Sequence, residues 1–490
     1  MSRLQKIGML AAPVLVLGIA WGQDSSSPGS ATPDASQQQS QPVPAYGQEN
    51  APAPITENPP ITGLDQPGLE PHAAPLSYLQ PGATVSESAD SNIGNGLGGQ
   101  TFNSVSLALG SLTLERLWSH YDLALDYIGG VGYYDVAGLG LKSIQQMDID
   151  QKISWKRGQL SVRDSFSYLP EGNFGAAYGS TGSEGIQSLG STSFGSFWSG
   201  SALGTLGEVP RILNVSLADV TENLTPKSAV TAVGGYAFTH FYGSDAVTGG
   251  PFLDSSQTST MVGYDRILTS KTQVALLYGY QVFNFSVLGT SFHSNVIQLM
   301  YGHRITGRMS FVAGAGPQIT HVNLYGILNE QRLGVAGQAQ LRYQFPKTSL
   351  ALSYERYLTS GSGLFLGAQS DIVRASVNRP LSRVWNIFAD GGYARNSRVQ
   401  PPTTAELANC GGSGQPLCPG VDAGVFKATF AGLGVHRNIG RDFHAYASYQ
   451  FNQLWFDHTY CGTLLDCNRI GNRQVITLGL DWKPRPIRLD

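Results

Sequence analysis

From Leu333 to Phe345 the chain reads LGVAGQAQLRYQF, with Leu333, Val335, Ala339, Leu341 and Tyr343 on one parity and Gln338, Gln340, Arg342 and Gln344 on the other. A period of two marks an extended strand with one apolar and one polar face. Pro346-Lys347 then leads into a second alternating run, TSLALSYERYL, so the pair predicts a tight hairpin. The unit recurs to the C-terminus. Gln146, Asp148, Asp150, Lys152, Ser154 and Lys156 alternate with Met147, Ile149, Ile153 and Trp155. In the last run Ile476, Leu478, Leu480 and Trp482 alternate with Val475, Thr477, Gly479 and Asp481. Two runs are less regular. Val425 to Arg437 changes parity midway, and Phe292 to Arg304 puts Met300 on the same face as Gln298.

In a soluble sheet the apolar faces need a second protein layer, whereas in a bilayer the lipid covers them and the polar faces line water. The connections favour the bilayer. Very short turns, as at Ser119-His120, Thr225 to Ser228 and Pro346-Lys347, alternate with longer loops, as at 135–143, 170–210 and 396–424. The expected fold is all-β, a transmembrane antiparallel up-and-down β-barrel with short periplasmic turns and long extracellular loops. Strands counted from Tyr121 to Trp482 number about 16. The segment FNSVSLALGSLTLERLW before them also alternates, and a hairpin about Gly110-Ser111 makes 18 the alternative. Aromatics near strand ends, among them Trp118, Tyr121, Tyr133, Tyr134, Trp155, Tyr236, Trp385 and Trp482, suit the headgroup zones.

Composition sharpens this picture. Charged residues make up 13% of the chain, about half the share usual in soluble domains. The net charge of −3 supplies no basic footprint for nucleic acid. Residues 1–22, with Arg3, Lys6 and the apolar stretch Ile7 to Ile19, read as a cleaved export signal. The stretch is too short for a spanning helix and is broken by Pro13. Residues 23–100 are rich in Pro, Gln and Ser and read as a disordered periplasmic linker, leaving 101–490 as the outer-membrane barrel. That linker is too short and too proline-rich for the plug domain of a TonB-dependent transporter. Cys410 and Cys418 share one loop, Cys461 and Cys467 another, and two local disulfides in an oxidising compartment are expected.

Candidate chemistry is sparse. In His293-Ser294-Asn295 neighbouring side chains point to opposite faces, which defeats a hydrolase triad. His240 near Asp245 is a bare acid/base pair, and His436 with His444 is an incomplete metal site. No catalytic, metal or cofactor-binding residues are assigned, and the expectation is a protein that is not an enzyme. The lumen is the site instead, since about sixteen strands enclose water. Its expected lining includes Asp148, Asp150, Lys152, Lys156, Arg163, Gln338, Gln340, Arg342, Arg374 and Asp390, with Asp122, Asp126, Arg304, Glu355 and Asp481 beside them. The signs nearly balance, which predicts weak ion selectivity. The loop from Pro170 to Pro210 carries Phe174, Tyr178, Phe194, Phe197 and Trp198, and is expected to fold inward or to cover the outer mouth.

Over residues 101 to 490 the chain resembles the outer-membrane β-barrel porins of Gram-negative bacteria. The export signal, LRYQFPKTSLALSYERYL, TQVALLYGYQVFNF and the closing VITLGLDWKPRP carry that resemblance. It implies passive, weakly selective passage of small polar solutes, with membrane lipid as a partner and a monomer or homo-trimer as the assembly. An exit barrel for polysaccharide export or secretion, and a structural or adhesive barrel with a blocked lumen, are the competing readings. KPRPIRLD after Trp482 departs from the aromatic terminus common in such proteins.

Overall fold

The computed structural model describes residues 60–62, 77–92, 102–135, 140–169, 210–242, 254–285, 290–324, 328–360, 367–399, 425–456 and 470–489. The loop from Pro170 to 209 and all four cysteines lie outside the described residues.

The chain runs through β1 (Tyr78–Asp90), β2 (Asn103–Leu117), β3 (Tyr121–Tyr134), β4 (Gly140–Trp155), β5 (Gly158–Leu169) and β6 (Arg211–Thr225). It continues through β7 (Ser228–Phe241), β8 (Ser255–Thr269), β9 (Thr272–Phe285), β10 (Thr290–Thr306), β11 (Met309–Leu324) and β12 (Leu328–Gln344). It finishes with β13 (Ser349–Thr359), β14 (Ala368–Pro380), β15 (Trp385–Arg398), β16 (Val425–Ile439), β17 (Phe443–Phe456), β18 (Ile470–Trp482) and the two-residue β19 (Ile487–Arg488). Each strand pairs antiparallel with the next, and β1 pairs with both β2 and β18, so eighteen strands close into a barrel. Closure leaves no free sheet edge, as a membrane-spanning sheet requires.

The strand number corrects the leading expectation of sixteen in favour of eighteen, by a different route from the one expected. Gly110-Ser111 is no turn, since β2 pairs without interruption with β1 from Asn103 to Glu115. The other added strand is β1, which lies wholly within the stretch read as linker, so the barrel begins at Tyr78 rather than at 101.

Local chemistry explains the tight turns. In Thr225-Pro226-Lys227, Thr269-Ser270-Lys271 and Thr306-Gly307-Arg308 the threonine Oγ1 accepts the N–H two residues on, at 3.2, 3.3 and 3.2 Å. Such hydroxyl caps satisfy a donor that the ladder leaves over. Gly440, at φ 74°, supplies the left-handed residue in the β16–β17 turn.

The seam between the first and last strands is knitted by side chains. Arg473 Nε donates to Asp90 Oδ2 at 2.8 Å near the long-loop rim, and both residues are buried. Thr84 Oγ1 donates to Asp481 Oδ1 at 2.7 Å nearer the short-turn rim. Beyond Trp482 the prolines break the strand, and Ile487–Arg488 returns to pair with Tyr78 and Leu79 of β1.

One parity of each strand faces outward. On β12 it carries Leu333, 79% exposed, and Val335, while Ala336 on the other parity is buried. Exposed Trp118, Tyr121, Tyr133, Trp155, Tyr236, Trp385 and Trp482 stand on that outer surface. At the short-turn rim the guanidinium of Arg116 lies 5.1 Å from the Trp118 ring centre, and that of Arg437 lies 5.2 Å from Trp385. A cation stacked on an interfacial ring suits the boundary between lipid tails and headgroups. Tyr134 departs from the expected girdle. It is 1% exposed and packs inward with Val105.

Candidate functional site in the barrel lumen

The inward parity divides into two zones along the barrel. Towards the short turns it is charged. On β3 and β4, Asp122 stands opposite Lys152, and Asp126 stands opposite Asp148. Thr113 Oγ1 on β2 donates to Asp126 at 2.7 Å, and Gln146 Nε2 donates to Asp148 at 2.8 Å. Arg163 on β5 reaches Asp150 at 3.2 Å, with Ser161 Oγ donating to the same carboxylate at 3.0 Å. Glu115 on β2 adds a further acid within the electrostatic reach of Asp122 and Asp126.

Nine strands away round a ring of eighteen, the lining carries both signs. Gln338, Gln340 and Arg342 share the inward face of β12, and Glu355 of β13 stands opposite Gln338. Arg374 on β14 faces Ser353, and its charge acts on Asp390 of β15. Acids therefore predominate on β2 to β4, whereas on β12 to β15 Arg342 and Arg374 are matched by Glu355 and Asp390. One side of the lumen is acidic and the other carries both signs. Strand order round the ring is what sequence reading lacked.

Of the residues expected to line the lumen, Asp148, Asp150, Lys152, Arg163, Gln338, Gln340, Arg342, Arg374 and Asp390 fall on the inward parity. Lys156 does not. It occupies the β4–β5 turn beside Arg157 and is exposed.

Towards the long loops the inward parity carries apolar clusters set among buried polar groups such as Gln257, Gln281, Ser294, Gln318 and Asn396. Leu109, Ile128 and Ile144 form one cluster with Leu107. Val215, Leu217, Val233 and Ala237 form a second, with Leu213 and Met261 against it. Phe283, Phe285, Phe292 and Val322 form a third, joined by Leu358 and Val399. On β6 the outer parity compensates with polar groups. There Asp164 of β5 accepts hydrogen bonds from Ser216 Oγ at 2.5 Å and from Asn214 Nδ2 at 3.2 Å.

The remaining chemical candidates are scattered. His293 faces outward beside the Tyr280 hydroxyl at 3.0 Å, while Ser294 faces inward and accepts from Gln318 Nε2 at 2.9 Å. His240 lies 2.6 Å from Asp254 at the long-loop rim, and Asp245 is outside the described residues. His436 and His444 line one hollow at the short-turn rim with Asn386, Asp481 and Lys483. His444 Nδ1 there sits 2.8 Å from Asn438 Oδ1.

One further set of inward residues lies ahead of the first strand, outside the alternating pattern. Ile61 and Thr62, ahead of the first strand, are each 2% exposed and contact the inward face of β7 to β11. The parity of β8 could have flagged Asp265, which stands inward between outward Tyr264 and Arg266.

No family model and no curated protein matches the chain. Solved structures share the barrel distantly. The FrpB iron transporter of Neisseria meningitidis (F5-1 variant) aligns at TM-score 0.42 and 8% identity, over 83% of this chain and 82% of that one. OccK9 (OpdG) of Pseudomonas aeruginosa aligns at 0.40 and 11%, over 83% and 98%. OpdQ of the same organism aligns at 0.40 and 9%, over 84% and 98%.

Proposed function

We propose that the chain is a channel of the Gram-negative outer membrane that passes small polar solutes passively. The observation that carries this reading is a closed eighteen-strand barrel whose short-turn half carries charged side chains of both signs on its inner face. A barrel of that strand number is wide enough to hold water between its walls. Charges of both signs on the inner face orient dipolar solutes and attract both ions. They therefore favour polar solutes in general over one sign of charge. The outer apolar parity with its aromatic rims supports residence in lipid, with the short turns on the periplasmic side.

Swelling of proteoliposomes in sugars of graded size tests the proposal. A channel admits the small sugars and excludes the large ones at a sharp limit. Vesicles that exclude even the smallest sugar, both with the full chain and with residues 46–70 deleted, overturn it in favour of a sealed or partner-dependent barrel.

A further inference from the structure

We propose that the short-turn half of the lumen contains a peptide-binding socket, and that the chain's own Pro60-Ile61-Thr62 occupies it as a latch that narrows the pore. The polar side of the socket is one carboxylate and one hydroxyl. Asp265 on β8 accepts the Ile61 N–H at 2.9 Å through Oδ1 and the Thr62 hydroxyl through Oδ2. Thr62 Oγ1 also lies 2.7 Å from Thr231 Oγ1 on β7. A charged acceptor that takes a main-chain donor and the next side-chain donor recognises a turn of peptide with a hydroxyl residue at the second position.

The apolar side takes the first position. Ile61 packs with Ala275 of β9 and Met300 of β10, against which Val312 of β11 also rests. Two glycines make the room. A Cβ at Gly263 would stand 2.5 Å from the Thr62 Cβ, and one at Gly302 would stand 3.2 Å from the Ile61 Cγ2. Five consecutive strands thus shape one surface to one dipeptide, with an apolar pocket, a carboxylate and space where side chains would otherwise project. Asp265 stands four residues from the end of β8, and Asp150 five from the end of β4, so the latch lies at the level of the charged walls. Solutes that pass those walls must pass it too.

The socket stands on these contacts alone, whereas its effect on conductance rests on the channel reading, so the test has two arms. In the first, a benzophenone amino acid replaces Ile61 in the full chain in vesicles, and cross-linked peptides are identified after irradiation. Cross-links confined to β9 and β10 are expected. Their absence, or their scatter over the barrel, overturns the socket whatever the protein conducts. In the second arm, single-channel conductance is compared between the unaltered chain and Thr62→Asp, which sets a second carboxylate against Asp265. Conductance should rise by about twofold, and a free peptide of residues 57–65 should lower it again. Equal conductance in the two proteins overturns the latch. If neither protein conducts, the channel reading fails and the cross-links still decide the socket.

Discussion

The two halves of the lumen differ in what their inward side chains do. Near the short turns many are charged and meet between neighbouring strands, as with Asp122 and Lys152 or Arg163 and Asp150. Near the long loops valine, leucine and phenylalanine pack into buried clusters beside hydrogen-bonded polar groups such as Ser294 and Gln318. The first half supplies the electrostatics that sort solutes. The second supplies cohesion between strands, in the manner of a soluble protein's core. A barrel wall therefore need not be polar along its whole inner length, and amphipathic alternation is a local property of these strands.

The contrast can be broken most severely at the seam in the apolar half. Arg473→Met leaves Asp90 buried without its ion partner, at a cost of about 3–5 kcal/mol. Equilibrium urea unfolding in lipid should show that loss, together with barrels that open at lower temperature on unboiled gels. Next comes Phe283→Ala. This side chain is fully buried among Phe285, Phe292 and Val322, and its truncation should remove about 3–4 kcal/mol while leaving ion selectivity unchanged. Thr84→Val, which removes the seam bond to Asp481 in the charged half, should cost only about 1 kcal/mol by the same measurement.

The smallest expected effect is the most specific to the charged half. Asp126→Asn with Asp148→Asn should shift the cation-to-anion permeability ratio about twofold towards anions, and Arg342→Gln with Arg374→Gln about twofold towards cations. Reversal potentials across a salt gradient check both. Shifts of the same sign from the two pairs would mean that these charges do not set the selectivity.

The same contrast explains what the sequence could and could not tell. β4 and β12 are regular because their polar parity faces water and their apolar parity faces lipid. β2 changes phase at Gly110-Ser111. Val105, Leu107 and Leu109 face the lumen clusters, whereas Leu112 and Leu114 face out, so the reversal imitates a turn that does not exist. β6 is inverted over Leu213, Val215 and Leu217, because these pack inward while Asn214 and Ser216 serve Asp164 outside. Met300 beside Gln298 on β10 is a true mixture, since Met300 receives Ile61. In β16 the apolar residues change face midway as in β2, with Ala428 and Phe430 inward and Leu433 outward. Phe430 lies over Gly392, where a Cβ would stand 2.5 Å from its ring. Each departure comes from an apolar partner inside the cylinder, which a rule built on lipid outside and water inside cannot anticipate.

The return of Ile487–Arg488 to β1 bears on biogenesis. Tyr78 and Leu79, among the first barrel residues to leave the ribosome, wait for a partner that is among the last. A nascent chain cut short before β18 would present β1 as a naked edge, ready to pair with a stranger. Closure thereby waits on the last strands, since only a chain that has reached β18 can zip the cylinder shut.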